Sequence, residues 1–148
     1  MTSSAIGRVS QALPWLLALY AVASLLHFVH NAEHLAQYPN LPSSWSRVDV
    51  YLAGGVVTTL GIVGYALYRR GNRPAGLSFL ALYAILGFAG LLHYTRAPFA
   101  HHSSMMNITI CTEVAAAATL LVDVLILAAG RDRHSAASNC SGEKSANR

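Results

Sequence analysis

An all-α integral membrane protein, folded as a bundle of four transmembrane helices, is the class this chain predicts, and three observations carry the prediction. Hydrophobic residues make up 54% of the 148 positions and charged residues only 11%, against about 25% charged in soluble domains. The apolar residues fall into four stretches, each of about the 20 residues that an α-helix needs to cross hydrocarbon. The lysines and arginines sit at the ends of those stretches rather than along one face, where they act as topology signals. With a mean hydropathy of +0.42 and this length, no soluble domain fits beside four spans. The same placement of cations excludes a nucleic-acid partner, despite the net charge of +4; the partner is the lipid bilayer.

The first span is expected at about 13–35, LPWLLALYAVASLLHFVHNAEHL. QYPNLPSSWS follows, and Pro39, Asn40 and Pro42 in it forbid a continuous helix, so it makes a surface loop. The second span covers about 48–68, and RRGNRP leads into a third at about 75–94. RAPFAHHSS connects this to the fourth, about 105–129. Residues 1–130 thus form the membrane domain. The polar segment 131–148, RDRHSAASNCSGEKSANR, has no apolar periodicity and is expected to be a disordered cytoplasmic tail. Residues 1–23 also have features of a signal peptide, with Arg8 and the AVA of positions 21–23. The apolar run continues through Phe28 and Val29, beyond a typical h-region of about 7–15 residues, which favours an uncleaved span.

Orientation follows from counting cations by loop. With the N-terminus inside, Arg8, Arg69, Arg70, Arg73, Arg131, Arg133, Lys144 and Arg148 are cytoplasmic, and only Arg47 and Arg96 lie outside. The positive-inside rule therefore predicts both termini cytoplasmic, in a membrane of the bacterial inner (plasma) type. Cys111 and Cys140 then lie at different depths, too far apart for a disulfide. Six of the seven histidines fall on the outer side.

The segment HFVHNAEH, residues 27–34, closes the first span with three histidines and a glutamate. At about 100° per residue His27, His30, His34 and Glu33 share one helix face. An ionisable side chain near the bilayer centre costs roughly 2.5–3.5 kcal/mol, so this face should turn into the bundle. Glu113, about two turns into the fourth span, is its expected partner, on a face with Met106, Thr109, Ala116 and Ala117. His93 closes the third span, and His101 and His102 lie in the outer loop. Gly54, Thr58, Gly61 and Gly64, with Gly87 and Gly90, are read as close-packing positions. Asp123, near the inner end, is expected to pair with a tyrosine or an inner arginine.

Imidazole is a common ligand of zinc, copper and iron, and His at i, i+4 presents two nitrogens to one ion. His27, His30, His34, His93, His101 and His102 are therefore the candidate metal ligands, with Glu33 and Glu113 as candidate general bases. His30 to His34 reads H-x-x-E-H, the inverted zincin pattern. His30 with His34, and His101 with His102, also resemble fragments of the histidine boxes of membrane fatty-acid desaturases and hydroxylases, although the full H-x-x-H-H box is absent. His27 or His30 with His93 is similar to the bis-histidine haem ligation of four-helix membrane cytochromes b. These resemblances imply, respectively, a di-iron centre and a haem, and each covers a handful of residues.

Three function classes follow. The favoured one is a metal-dependent membrane enzyme, in which a zinc, iron or copper ion in an outward-facing pocket acts on a lipophilic small molecule. The second passes metal ions or protons, against which stands an inner half offering only Asp123. The third is a haem-binding electron carrier or accessory subunit.

Overall fold

The computed structural model describes the backbone over residues 3–146 and the side chains over residues 11–130. Helix α1 (Ser3–Glu33) is followed by a 3₁₀ turn at Leu35–Gln37, then α2 (Arg47–Arg69) and α3 (Arg73–Leu86). A 3₁₀ segment, Gly87–Leu92, joins α3 directly to the short α4 (His93–Arg96). A last 3₁₀ turn, Phe99–His101, precedes α5 (Ser104–Ala146). Among the described residues there is no β-strand. Four segments are long and apolar enough to cross a membrane: Gln11–Glu33, Arg47–Arg69, Arg73–Arg96 and Ser104–Gly130. The four expected spans are thus present. Helix α5 instead continues past the expected end near 129 to Ala146, so the backbone of 131–146 is helical where a disordered tail is expected, because no proline or glycine after Gly130 stops it before position 142; the side chains of 131–148, Cys140 among them, lie outside those described.

Each helix end has a local cause. The chain leaves α1 through Pro39 and Pro42, with Asn40 in the left-handed region at φ 56°. Ser46 caps α2 through a capping box: its hydroxyl accepts from the Asp49 amide at 3.3 Å, and the Asp49 carboxylate accepts from the Ser46 amide at 2.8 Å. Asp49 is therefore occupied as a cap rather than belonging to the histidine cluster. Gly71, at φ 89°, reverses the chain between α2 and α3.

The third span departs from a straight helix, and the reason is a side chain from α1. The Tyr20 hydroxyl donates to the Tyr83 carbonyl at 3.1 Å, the acceptor that the Gly87 amide would use in an α-helix. The Gly87 amide turns instead to the Ala84 carbonyl, the i−3 spacing of a 3₁₀ helix. Only glycine permits this approach, because a Cβ at position 87 would lie 2.5 Å from the Tyr20 hydroxyl and 2.6 Å from the Ala117 Cβ.

Polarity is arranged inside out. Helix α1 packs chiefly on α5, and α2 on α3, while α3 and the 3₁₀ segment close against α5. Leu13, Tyr20, Leu80, Ala84, Ala117 and Leu120 form the apolar core. Ser24, His27, Asn31, Glu113 and Asp123 are buried beside it, whereas Trp15, Leu25, Val56, Ile62 and Leu92 face outward. Such a distribution suits a lipid surround and is unfavourable in water. Small residues set the helix spacing as expected: Gly54 meets Phe28, Gly61 meets Tyr83 and Gly64 meets Leu80. The tightest approach without a flexible neighbour is at Gly76, where a Cβ would lie 2.5 Å from the Tyr68 amide nitrogen and 2.7 Å from its Cα. Gly76→Ala is expected to destabilise the bundle by about 1–3 kcal/mol, since backbone cannot swing aside. Gly55→Ala, with nothing within 4 Å of its Cβ, should be neutral or stabilising by up to about 1 kcal/mol. Denaturation by an ionic detergent in mixed micelles reads both, and equal responses would refute this account of α2–α3 packing.

Candidate functional site

The end of the bundle where α1 finishes and α2 begins holds a cavity of about 250 Å³ between α1, α2, the third span and α5. Small-molecule sites are roughly 300–1,000 Å³ and mostly apolar with a few placed polar groups, and this cavity is near the lower end in size. Phe28, Leu35, Trp45, Val57, Leu86 and Leu92 are among its apolar walls; His27, Asn31, His93, Arg96 and Glu113 are its polar ones.

At its deepest part the Nε2 of His27 lies 3.6 Å from Oε2 of Glu113, and each residue is only 3% exposed. Helix α1 delivers His27 and α5 delivers Glu113, on the face where Met106, Ala116 and Ala117 are also buried. Gly90 of the 3₁₀ segment faces the same pair: a Cβ there would stand 3.5 Å from Oε2 of Glu113 and 3.9 Å from Nε2 of His27. Nδ1 of His27 and Oδ1 of Asn31 are buried without a hydrogen-bond partner among the described residues. An unmade hydrogen bond on a buried polar group costs about 1–3 kcal/mol, so both atoms suit a polar guest.

From this floor a line of titratable rings leads outward. The ring centroids of His27 and His93 are 5.7 Å apart, and those of His93 and Tyr38 4.7 Å. The Tyr38 hydroxyl is 3.1 Å from Nδ1 of His30, whose ring lies 4.6 Å from that of His34. His34 is exposed. Asn31 steadies the line, its amide nitrogen 3.4 Å from Nε2 of His93. Tyr38 is 4% exposed, and burial pushes its phenol up to about 12. It therefore stays protonated at physiological pH, able to pass a proton only by accepting one as it donates another.

The eight candidate residues divide accordingly. His27, His93 and Glu113 line the cavity, and His30 and His34 continue outward from it. His102 is buried behind His93 at 6.4 Å between centroids, with its Nδ1 3.1 Å from the Pro98 carbonyl and its Nε2 unpartnered among the described residues. His101 is exposed. Glu33 turns away from the cluster, pairing with Arg47 at 3.3 Å and accepting from the Tyr51 hydroxyl at 2.7 Å. Among the described residues, no group of three or more His, Cys, Asp or Glu side chains converges in a metal-holding arrangement. Asp123 is buried, with Oδ2 unpartnered among the described residues; Arg8, Arg131 and Arg133, the arginines expected near it, have side chains outside them.

Two participants escape a reading by residue type. Asn31 stands four positions after His27 and so shares its face, a signal that an amide among histidines hides. Tyr38 lies in the loop after the first span, where residue type alone marks no site, yet the loop folds it inward against Met106 and Ile110. No protein-family model, no curated protein and no solved structure matches the chain.

Proposed function

We propose that this chain is a membrane protein that admits a lipophilic small molecule into the outer-half cavity and transfers a proton on it with the His27–Glu113 pair. The buried pair at 3.6 Å carries the reading: a carboxylate and an imidazole kept out of water beside an apolar cavity are poorly explained by packing, and intramembrane ionisable groups are functional by default. Both termini are cytoplasmic and the histidine-rich end faces outward, in a plasma membrane of the bacterial inner type. The cation distribution supports that orientation. In the reaction, one member of the pair removes a proton from the guest while the other returns one. His93, Tyr38, His30 and His34 let the pair exchange protons with the outer surface. Opening between helices admits the guest from lipid.

The test is to identify what the purified chain carries. Solvent extraction of the detergent-purified protein is expected to release a lipophilic compound enriched over bulk lipid, and Ala53→Phe, which fills the cavity wall, should abolish the enrichment. In deuterated buffer the compound should gain deuterium at carbon only in the presence of protein. Enrichment that survives Ala53→Phe, or no isotope uptake, would sink the reading.

A second reading is favoured by the space that Gly90 leaves beside Nε2 of His27 and Oε2 of Glu113. His27 and Glu113 would hold a zinc, iron or copper ion there, His93 lines the same cavity, and such an ion would supply Lewis-acid chemistry toward the guest or water. Elemental analysis of protein purified without chelators then finds the metal bound stoichiometrically. His27→Ala removes it, and the double change His30→Ala with His34→Ala leaves it. Metal-free protein that is folded and active would rule this out.

A further inference from the structure

We infer that the guest is a lipophilic anion, an amphiphile whose carboxylate or phosphate is held by Arg96 at the cavity mouth. This deepens the proposed function and rests on the cavity being a ligand site. Among the described residues of that end, one arginine is left without a carboxylate partner. Of the two cations there, Arg47 is paired with Glu33. The other carboxylates of the outer half are also engaged, Asp49 by the Ser46 amide and hydroxyl at 2.8 and 2.7 Å, and Glu113 by His27. Arg96 lines the cavity, and no carboxylate pairs with it among the described residues. Among the described residues it is the one formally charged wall residue besides the buried Glu113.

The mounting of Arg96 suits binding. Its backbone carbonyl accepts from the Asn40 side-chain amide at 2.8 Å, tying the outer loops together, while its guanidinium is left for a guest. Helix α4 places it three residues after His93, hence on the same side of the turn. A guanidinium offers a planar, bidentate donor set matched to carboxylate and phosphate. Below it the walls are apolar down to the polar floor. The complementary molecule has an anionic head, an apolar body and a site of reaction within the body. A neutral lipid would leave the Arg96 charge at the mouth without a partner.

Trp45 lines this cavity and the other tryptophan, Trp15, does not, so Trp15→Phe leaves a single reporter. In detergent, bromoundecanoic acid is expected to quench Trp45 saturably, with half-saturation about tenfold below that of bromoundecanol, the size of about one charge-assisted contact. Arg96→Gln should equalise the two and Arg96→Lys should retain part of the difference. Phosphatidylglycerol with brominated chains, set against brominated phosphatidylcholine, shows whether a phospholipid head is the source. Preference for either anion over its neutral or zwitterionic counterpart supports the inference, provided Arg96→Gln removes it. Saturable but equal quenching by acid and alcohol, or a preference that survives Arg96→Gln, overturns the anionic head and leaves the cavity reading standing. No saturable quenching by any of these probes overturns the cavity reading, and the inference with it. The Arg96 guanidinium makes no hydrogen bond among the described residues, so Arg96→Gln should elute and melt as the parent protein.

Discussion

Replacing His27 by leucine is expected to destabilise the bundle by about 3–5 kcal/mol, because it leaves the Glu113 carboxylate buried without its partner. The size follows from burial: both residues are only 3% exposed, so water cannot reach in to compensate. The double substitution His27→Leu with Glu113→Leu should recover most or all of the loss, since two apolar side chains of similar volume need no partner there. Denaturation in mixed micelles gives both values. The pair would then be a cost to folding, retained for what it does. Single and double variants that lose the same stability would show that the two groups do not interact, and the proton-transfer proposal would lose its centre.

Glu113→Gln is expected to lower deuterium transfer to the bound compound by about 100- to 10,000-fold, the usual contribution of a positioned acid or base. Glutamine keeps the shape and one acceptor oxygen, so guest binding, read by the same extraction, should persist. Tyr38→Phe should give a smaller loss. It removes the hydroxyl 3.1 Å from Nδ1 of His30 and interrupts exchange with the surface at His34, while the His27–Glu113 pair stays intact. A Glu113→Gln protein that binds the guest and transfers deuterium at the parent rate would exclude Glu113 as a proton carrier.

Much of the fold is legible in the residues. Four apolar stretches, the proline-rich first loop and the reversal at RRGNRP are local features, and the helices α1, α2 and α5 and the third span follow them. The burial of Glu113 with Met106, Ala116 and Ala117, and the contacts of Gly54, Gly61 and Gly87, are legible for the same reason: polar and small residues avoid lipid, so their spacing marks the inner face. The site is only partly so. Helical periodicity puts His27, His30, Glu33 and His34 on one side of α1, but the four positions, Glu33 included, span about 120°, enough for the face to divide between neighbours. Glu33 is drawn to Arg47 and Tyr51 of α2, while His27 meets Glu113 of α5.

What the chain determines by itself is the membrane class, the number of spans and the end at which the ionisable groups collect, because hydropathy and helix propensity act over a few neighbouring residues. What only the tertiary structure decides is which of those groups meet. Tyr38 enters the ring line because its loop folds back over α5. His93 is carried to His27 by a 3₁₀ segment that exists because Tyr20, from another helix, takes the Tyr83 carbonyl. Contacts between residues dozens of positions apart depend on how helices seat on one another, and no local pattern encodes that seating.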